Sequence, residues 1–327
     1  MLTLRSPMDM HVHLRQGDML ALVAPHTARQ FAAAVVMPNL VPPVTDLAQV
    51  LAYAQAVRAA AGQPFTPLMT LFFRAFTRSE LEAAKPHIIG VKLYPAGMTT
   101  NSESGLADMA AAGETLAVME ELGIPLLVHG EGCGFVMDRE DLFLPVVEKW
   151  AREYPKLRIV LEHVTTRSAL EALERRENLF ATVTLHHLLI TLDDVIGGLM
   201  RPHLFCKPVA KRPEDRAALR RAALGHPKVF FGSDSAPHPR EAKEAPGCAA
   251  GIFSAPVALP ALAGVFEEMD GLDRLQAFVS DRACAAYGLD HLPMSVGLER
   301  RPWTVPAGIG PVEPFLAGQT LNWRLVD

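Results

Sequence analysis

The feature that most constrains the fold is a repeated alternation of short apolar, β-branched runs with helical patterns. Eight such runs predict strands, at residues 8–12, 33–37, 68–73, 88–94, 125–129, 157–163, 180–185 and 229–232. Near-continuous apolar strands separated by helices are typical of a parallel sheet covered on both faces. Eight units predict an α/β fold, a (β/α)8 TIM barrel with a C-terminal helical extension and a short tail. We expect a single domain over residues 1–327.

A doubly wound open sheet is the alternative arrangement for this pattern. No Gly-x-Gly-x-x-Gly turn follows the first strand, which weakens that alternative. After the eighth strand, two apolar helical patterns at about 256–268 and 273–287 form the predicted extension. Two strand-like pieces, at 303–305 and 321–325, lie in the tail.

Composition excludes several functional classes. With 50% hydrophobic residues, 20% charged residues and a net charge of −5, the chain is neither disordered nor suited to bind nucleic acid through a basic surface. The N-terminal residues lack the apolar core of a signal peptide, and no uncharged apolar run approaches the ~20 residues that span a bilayer. The four cysteines are far apart and form no disulfide framework. We therefore expect a cytoplasmic protein without nucleic-acid or membrane partners.

Two histidines and a lysine on predicted strands are the first candidate metal ligands. His11 and His13 are two residues apart, so they point to the same face of a strand. Lys92 lies inside an apolar run, where a charged ammonium is costly to desolvate. Two explanations stay open: Lys92 reaches solvent or a carboxylate at the strand end, or its amine has a depressed pKa and reacts with CO2. The resulting carbamate is an anion that can bridge two cations.

Further candidates follow other strands. His129 and His163 each end an apolar run, Asp234 follows the last run, and His238 lies in the turn after it. In a barrel these strand ends meet at one mouth, where such enzymes place their active sites. Four histidines, a carboxylate and a modified lysine can hold two metal ions, with positions open for water or substrate. Imidazole combined with oxygen ligands suits zinc.

The motifs around these residues resemble the amidohydrolase superfamily and, within it, the short, single-barrel bacterial dihydroorotases. They are Met-His-Val-His-Leu-Arg at 10–15, Met-Pro-Asn-Leu at 37–40, Val-Lys-Leu-Tyr-Pro-Ala at 91–96, Val-His-Gly-Glu at 128–131, Glu-His-Val-Thr-Thr at 162–166 and Gly-Ser-Asp-Ser-Ala-Pro-His at 232–238. The resemblance extends from about residue 8 to about residue 323. It implies a binuclear zinc enzyme of de novo pyrimidine (UMP) biosynthesis that interconverts N-carbamoyl-L-aspartate and L-dihydroorotate.

The resemblance also implies roles for individual residues. His11, His13, carbamylated Lys92 (N6-carboxylysine) and Asp234 would hold the more buried zinc ion, and Lys92, His129 and His163 the other. Asp234 would also be the catalytic acid and base. The substrate would be bound by Arg15, Asn39 and His238 at its carboxylate, by His129, and by main-chain groups of Lys207, Ala250 and Gly251. Lys207 departs from the family, in which an apolar residue is expected.

A polar loop at 98–105 follows the lysine strand and has the composition of a lid. The resemblance implies that the hydroxyls of Thr99 and Thr100 reach the bound substrate, and an ordinary exposed loop is the alternative. It also implies a homodimer, for which the apolar segments after the eighth strand offer an interface.

Two other functions compete with this one. Hydantoinases and allantoinases are also cyclic amidohydrolases, but they usually carry a β-sandwich segment before the barrel, and the position of His11 leaves no room for it. A non-catalytic dihydroorotase-like scaffold usually lacks metal ligands, and every expected ligand is present here.

Four more polar residues lie near the predicted ligands. Glu131 and Glu162 either orient the ligands from behind or face solvent. His186 and His187 end the seventh predicted strand, where adjacent side chains point to opposite faces. We therefore expect them behind the site or in the core.

Overall fold

The computed structural model describes residues 1–326. In chain order its strands are β1 (Leu2–Arg5), β2 (Met8–Val12), β3 (Ala33–Val36), β4 (Thr66–Phe72), β5 (Gly90–Leu93), β6 (Leu126–Val128), β7 (Ile159–Leu161), β8 (Leu179–Val183), β9 (Val229–Phe231), β10 (Ser295–Thr304) and β11 (Thr320–Leu325). Strands β2 to β9 form one parallel eight-stranded sheet in sequential order. The eight predicted strands are therefore confirmed, with ends displaced by at most two residues.

Hydrogen bonds between the first and last strands of this sheet close it into a barrel. The backbone N–H of Asp234 donates to the carbonyl of His11 over 2.8 Å, and the N–H of His13 donates to the carbonyl of Ser235 over 3.0 Å. We call this junction of β2 with the residues after β9 the seam. Because predicted metal ligands flank both bonds, barrel closure and the candidate site share the same backbone.

A β-bulge interrupts the pairing of β2 with β3, on the side of β2 that faces away from the seam. Between Asp9 and Val12, β2 has one more residue than the facing part of β3. Such an insertion bends a strand and re-aims its side chains, and it is common beside active sites. Asp9 Oδ1 accepts hydrogen bonds from the N–H of His11 (3.2 Å) and of Ser233 (2.7 Å), and Oδ2 accepts one from the Ser233 hydroxyl (2.6 Å). The fully buried Asp9 carboxyl thus fixes both the bulge and the seam.

Helices surround the barrel and close its lower end. They are α1 (Gly17–Ala28), α2 (Leu47–Ala61), α3 (Arg78–Ala84), α4 (Gly113–Leu122), α5 (Arg139–Glu153), α6 (Arg167–Glu174), α7 (Leu185–Leu189), α8 (Leu192–Ile196), α9 (Pro213–Gly225), α10 (Arg240–Lys243), α11 (Ala258–Glu268) and α12 (Arg282–Tyr287). The sequence did not predict α1, whose pattern contains Pro25, nor the four- and five-residue helices α7, α8 and α10. None of the helices within residues 1–326 combines the length and the apolarity needed to cross a bilayer.

The barrel interior is apolar below the site. Leu127, Val160 and Phe230, from three strands, belong to one interior cluster. Their chain neighbours on the same strands, such as Leu126 and Ile159, pack in the outer core. Because the interior is filled with apolar side chains, polar groups above it are shielded from water on that side.

The C-terminal extension is present, and it packs on the barrel. The apolar side chains of α11 are buried in the chain's own core. Tyr287 of α12 packs against the interior cluster and covers the N-terminal end of the barrel. Strands β1, β10 and β11 form a separate antiparallel sheet, to which the predicted tail pieces contribute. Pairing of β1 with β10 joins the two ends of the chain and was not visible in the sequence.

We expect Asp9→Ala to lower the free energy of unfolding by about 2–3 kcal/mol, because it leaves the buried N–H groups of His11 and Ser233 without an acceptor and the Ser233 hydroxyl with only the His11 carbonyl. Asp9→Asn retains an oxygen for the two backbone N–H groups and should cost less. Urea unfolding followed by circular dichroism measures both. Wild-type stability in Asp9→Ala would show that the carboxyl does not hold the seam.

Candidate active site

The predicted site residues converge at the C-terminal ends of the barrel strands. Of the fourteen, eleven line one pocket, namely His13, Arg15, Asn39, Thr99, Thr100, His129, His163, Lys207, Asp234, Ala250 and Gly251. His11 and Lys92 are fully buried, and His238 lines an adjoining cleft that shares Arg15, Asn39 and Thr100 with the pocket. Residues distant in sequence are therefore brought to a single mouth by barrel closure.

His11, His13 and Asp234 direct unshared electron pairs at one another. His11 Nδ1 lies 2.6 Å from Glu162 Oε2. Burial raises the pKa of Glu162 to about 7, and in its ionised form the carboxylate only accepts hydrogen bonds, so we assign the ring proton of that state to His11 Nδ1. His11 Nε2 is then bare, yet it lies 3.3 Å from His13 Nε2 and 3.4 Å from Asp234 Oδ1. His13 Nε2 is 3.1 Å from the same oxygen. One proton can satisfy only one of these contacts, whereas a cation between the three atoms would satisfy all of them.

A second pair of ring nitrogens lies beside the first group. His129 Nε2 is 2.9 Å from Glu131 Oε2, which leaves its Nδ1 facing His163 Nε2 at 3.2 Å. The Nδ1 of His163 is buried without a hydrogen-bond partner. The rings of His11 and His163 are 5.0 Å apart between centroids. The two groups of nitrogens are therefore close enough to serve neighbouring cations.

Lys92 is the lysine within an apolar strand that the sequence predicts as a candidate metal ligand. Its side chain is fully buried, and its Nζ has no hydrogen-bond partner. Burial lowers the pKa of Lys92 to about 8, while the carboxylates of Glu162 and Asp234 oppose that shift. Nζ lies 5.0 Å from the centre of the Tyr94 ring. A lysine that does not reach solvent contradicts the explanation in which Lys92 snorkels, and its lowered pKa favours the neutral amine that CO2 requires.

The donor set fits a pair of divalent cations. It combines unpaired imidazole nitrogens, a carboxylate and an unpartnered amine in a space closed to water from below. Burial and neighbouring positive groups lower the pKa values of His11 and His163 well below the usual value, which keeps their rings neutral. Burial opposes the charge of Asp234, but the hydrogen bond with His13 holds its pKa at about 2. Neutral imidazoles and an ionised carboxylate are the protonation states that metal binding requires.

The backbone at two of these positions is held in a conformation that favours glycine. His163 has φ 44° and Asp234 has φ 43°. The His163 N–H donates to the Thr182 hydroxyl over 2.7 Å, and the Asp234 N–H bonds across the seam. Such strain persists only where the surroundings over-determine it, which is typical of functional sites.

Arg15 and His238 form a cationic corner at the pocket entrance. Arg15 Nε donates to the Pro237 carbonyl over 3.0 Å, and its Nη2 lies 3.0 Å from His238 Nε2. The same Nε2 is 3.1 Å from the Ala250 carbonyl. This nitrogen faces both a donor and an acceptor and can serve one at a time. Burial and the Arg15 charge lower the pKa of His238 to about 3, so the corner carries the single charge of Arg15.

The loop at 98–105 is folded over the pocket in the manner of a lid. Asn39 Nδ2 donates to the Thr100 carbonyl over 3.1 Å, and Asn101 Nδ2 returns a bond to the Asn39 carbonyl over 3.2 Å. The Thr100 hydroxyl donates to the Ala250 carbonyl over 3.3 Å. The threonines therefore line the pocket, whereas an ordinary exposed loop would leave them in solvent.

Gly251 and Lys207 are two of the positions at which the sequence predicts main-chain contacts with the substrate. The N–H of Gly251 already donates to the Phe205 carbonyl over 3.0 Å, so it is not free to bind a ring. Gly251 has φ 152°, and a Cβ there would lie 2.4 Å from the Ala236 carbonyl oxygen. Its contribution is therefore the space left by a missing side chain. Lys207, the departure from the family pattern, is half-buried and lines the pocket.

The structure adds residues that sequence reasoning missed. Tyr94 lines the pocket beside Lys92, and Thr182 donates to Glu162 Oε2 over 2.8 Å. Tyr53 donates its hydroxyl to the Arg15 carbonyl over 2.6 Å. Thr182 was detectable as a hydroxyl within an apolar strand, but Tyr53 lies on α2 and gave no signal.

His186 and His187 are buried, as expected, but their placement at the end of a strand is wrong. Strand β8 ends at Val183, so the two residues lie in α7, and both rings are buried with centroids 4.4 Å apart. Together with Cys206 they form a second group with metal-ligating atoms. Both nitrogens of His187 are already within hydrogen-bond distance of a protein oxygen, at 2.9 and 3.1 Å. The group at the seam, where electron pairs face one another, is the better cation site.

Comparison with known proteins places this architecture in a family. Residues 7–267 match the family model described as amidohydrolase. A Helicobacter hepaticus protein named dihydroorotase is 48% identical over all of this chain and 98% of its own length. The crystal structure of a Campylobacter jejuni dihydroorotase is 50% identical with a TM-score of 0.95, covering 100% of this chain and 97% of that one. A Saccharomyces cerevisiae dihydroorotase, crystallised with 5-fluoroorotic acid, is 37% identical with a TM-score of 0.94, covering 99% and 98%.

We expect Glu162→Gln to weaken metal binding about 10- to 100-fold, because an amide orients and polarises the His11 ring less than a carboxylate does. Zinc content after dialysis against graded chelator concentrations measures the effect. Glu82→Gln, on the exposed face of α3, is the matched control and should match wild type. Equal zinc retention in both variants would contradict the role assigned to Glu162.

Proposed function

Because the chain belongs to the dihydroorotase family of the amidohydrolases, we propose that it catalyses the reversible cyclisation of N-carbamoyl-L-aspartate to L-dihydroorotate in pyrimidine (UMP) biosynthesis. The observation that carries this proposal most directly is the convergence of bare imidazole nitrogens, the Asp234 carboxylate and the unpartnered Lys92 amine below a cationic corner. The nitrogens, the carboxylate and the amine suit metal-assisted amide hydrolysis. The cationic corner suits a substrate that carries a carboxylate.

The proposed cofactor is a pair of zinc ions. His11, His13 and Asp234 would hold one ion, and His129 and His163 the other, with Lys92 carbamylated by CO2 between them. When bound, such a pair supplies the Lewis acidity that makes a water molecule nucleophilic near neutral pH and polarises a carbonyl. Support for the carbamate comes from the burial of Lys92 and the absence of a hydrogen-bond partner for its Nζ within residues 1–326.

Asp234 is the group we assign to proton transfer. In hydrolysis, water adds to the ring carbonyl next to the methylene, and Asp234 takes the proton of that water. The carboxyl then gives the proton to the ring nitrogen as the amide bond breaks, which releases the ureido group and a new carboxyl group. The second proton of the water passes to solvent as this carboxyl ionises. In the synthetic direction Asp234 acts first as the acid. Its low pKa supplies the ionised form that hydrolysis needs at the start.

Arg15, Asn39 and His238 are the proposed carboxylate binders. The Arg15 guanidinium offers a planar fork that matches two carboxylate oxygens. A carboxylate bound at this corner would accept from Arg15, and His238 Nε2 could then carry the ring proton and donate it to the same carboxylate. One amide hydrogen of Asn39 is donated to the Thr100 carbonyl, and the other remains available to the ligand. The conflict at Nε2 is thereby resolved by the ligand itself.

The other predictions from the sequence remain proposals of the same kind. We propose a cytoplasmic homodimer that acts on this small-molecule substrate without a nucleic-acid or membrane partner. Because the apolar side chains of α11 are internal, they would not supply the interface of that dimer. Sedimentation equilibrium of the zinc-loaded protein tests the oligomeric state.

Turnover of L-dihydroorotate by the zinc-loaded protein, with hydantoin and allantoin as competitors, tests the activity. We expect turnover of L-dihydroorotate alone, whereas preferred hydrolysis of hydantoin or allantoin would overturn the assignment.

Asp234→Asn cannot shuttle a proton and should lower kcat about 100- to 10,000-fold. Asp290→Asn, an exposed residue that follows α12, is the control and should retain wild-type kcat. A wild-type protein that binds no metal and has no activity would instead support the alternative of a non-catalytic dihydroorotase-like scaffold.

We expect the double substitution Thr99→Ala with Thr100→Ala to lower kcat roughly 100-fold, because two donors over the reacting ring are lost. Zinc content should stay unchanged, since neither residue is a proposed metal ligand. Steady-state kinetics combined with metal analysis separates the two effects. Near-normal turnover in the double variant would remove the lid from the mechanism.

A further inference from the structure

A buried lysine outside the predicted site binds the loops that form one pocket wall. Lys243 ends α10, and only 3% of it is exposed. Its Nζ donates to the carbonyls of Phe205 (2.8 Å), Ala249 (2.9 Å) and Gly251 (2.8 Å). An ammonium has three hydrogens to donate, so all three are used. Within residues 1–326, no carboxylate lies within salt-bridge distance of it.

The three carbonyls belong to the two loops that flank the proposed substrate. Ala249 and Gly251 stand on either side of Ala250, so two of the bonds fix the peptide groups around that residue. Phe205 lies on the loop after β8, two residues before Lys207, and its carbonyl also accepts the Gly251 N–H. Lys243 therefore sets the spacing between the loop after β8 and the loop after β9.

The Ala250 carbonyl lies between the peptide groups that Lys243 fixes, and two other parts of the site contact it. The Thr100 hydroxyl of the lid donates to it over 3.3 Å, and His238 Nε2 of the cationic corner lies 3.1 Å away. The lid and the carboxylate binders thus both depend on where Ala250 is placed. Hydrogen bonds from a charged donor are roughly twice as strong as neutral ones, which suits a group that must hold three backbone oxygens at once.

We propose that Lys243 is a positioning residue for substrate binding: through three carbonyls it places the Ala250 peptide against the ring of the bound substrate without touching the substrate itself. This inference rests on the proposed function. The alternative is that Lys243 only stabilises the fold. Burial lowers the pKa of Lys243 to about 8, so keeping an ammonium here is unfavourable and calls for a compensating role.

Lys228 provides a matched control for the loss of a lysine that binds carbonyls. Its Nζ donates to the carbonyls of Leu173 and Arg176, both over 2.9 Å. It lies directly before β9, at the opposite end of the barrel from the pocket. Lys228→Met therefore removes similar bonds while leaving the pocket wall alone.

The experiment compares KM, kcat and zinc content for L-dihydroorotate hydrolysis in wild type, Lys243→Met, Lys243→Gln and Lys228→Met. We expect Lys243→Met to raise KM about tenfold with a smaller change in kcat, because it removes an effect on binding in both ground and transition states. Lys243→Gln keeps up to two donors and should give an intermediate KM. Zinc content should match wild type throughout, and Lys228→Met should keep the wild-type KM.

Each outcome decides the proposal. A KM within about twofold of wild type in Lys243→Met overturns it, as does an equal rise in Lys228→Met, because a general loss of stability then explains the effect. If Lys243→Met does not fold, Lys243→Gln is judged by the same KM criterion. An inactive wild-type protein would instead overturn the proposed function, so the two failures are distinguishable.

Discussion

The arrangement on which the rest of the site depends is the meeting of His11, His13 and Asp234 across the barrel seam. Their ligand atoms lie 3.1 to 3.4 Å apart, although no more than one proton is available between them. Such contacts between acceptors are unfavourable unless a cation occupies the space. The barrel supplies the constraint that keeps them together, since backbone bonds of the same residues close the sheet.

Burial then determines the chemistry of each group. The apolar interior below the site removes water from one side, which keeps the histidine rings neutral and favours the uncharged amine of Lys92. Asp234 stays ionised in the same surroundings because His13 and His11 contact it. One low-dielectric environment therefore gives both the proposed metal ligands and the proposed acid–base group the protonation states that their roles would require, and the partner of each residue determines its own state.

The sequence was sufficient for the barrel and for most of the site, for identifiable reasons. Apolar runs locate strands, and polar residues at their ends stand out against that background, as His129 and His163 do. Features that depend on three-dimensional register were not predictable. The bulge after Asp9 can be recognised only when β2 is compared with the strand beside it, β3. The hydrogen bonds of Lys243 to three carbonyls depend on how the loops fold. His186 was placed on a strand because the apolar run extends beyond the point at which β8 ends.

The position of the ligands on both sides of the seam has a consequence for the stability of the whole chain. His11 and His13 come from the first barrel strand, and Asp234 follows the last one. A cation held by all three is in effect a cross-link between the two edges of the sheet, formed only in the folded state. By mass action, the melting temperature of the protein should then rise with the concentration of free metal. Thermal stability would report on the supply of metal in the cell as directly as catalysis does.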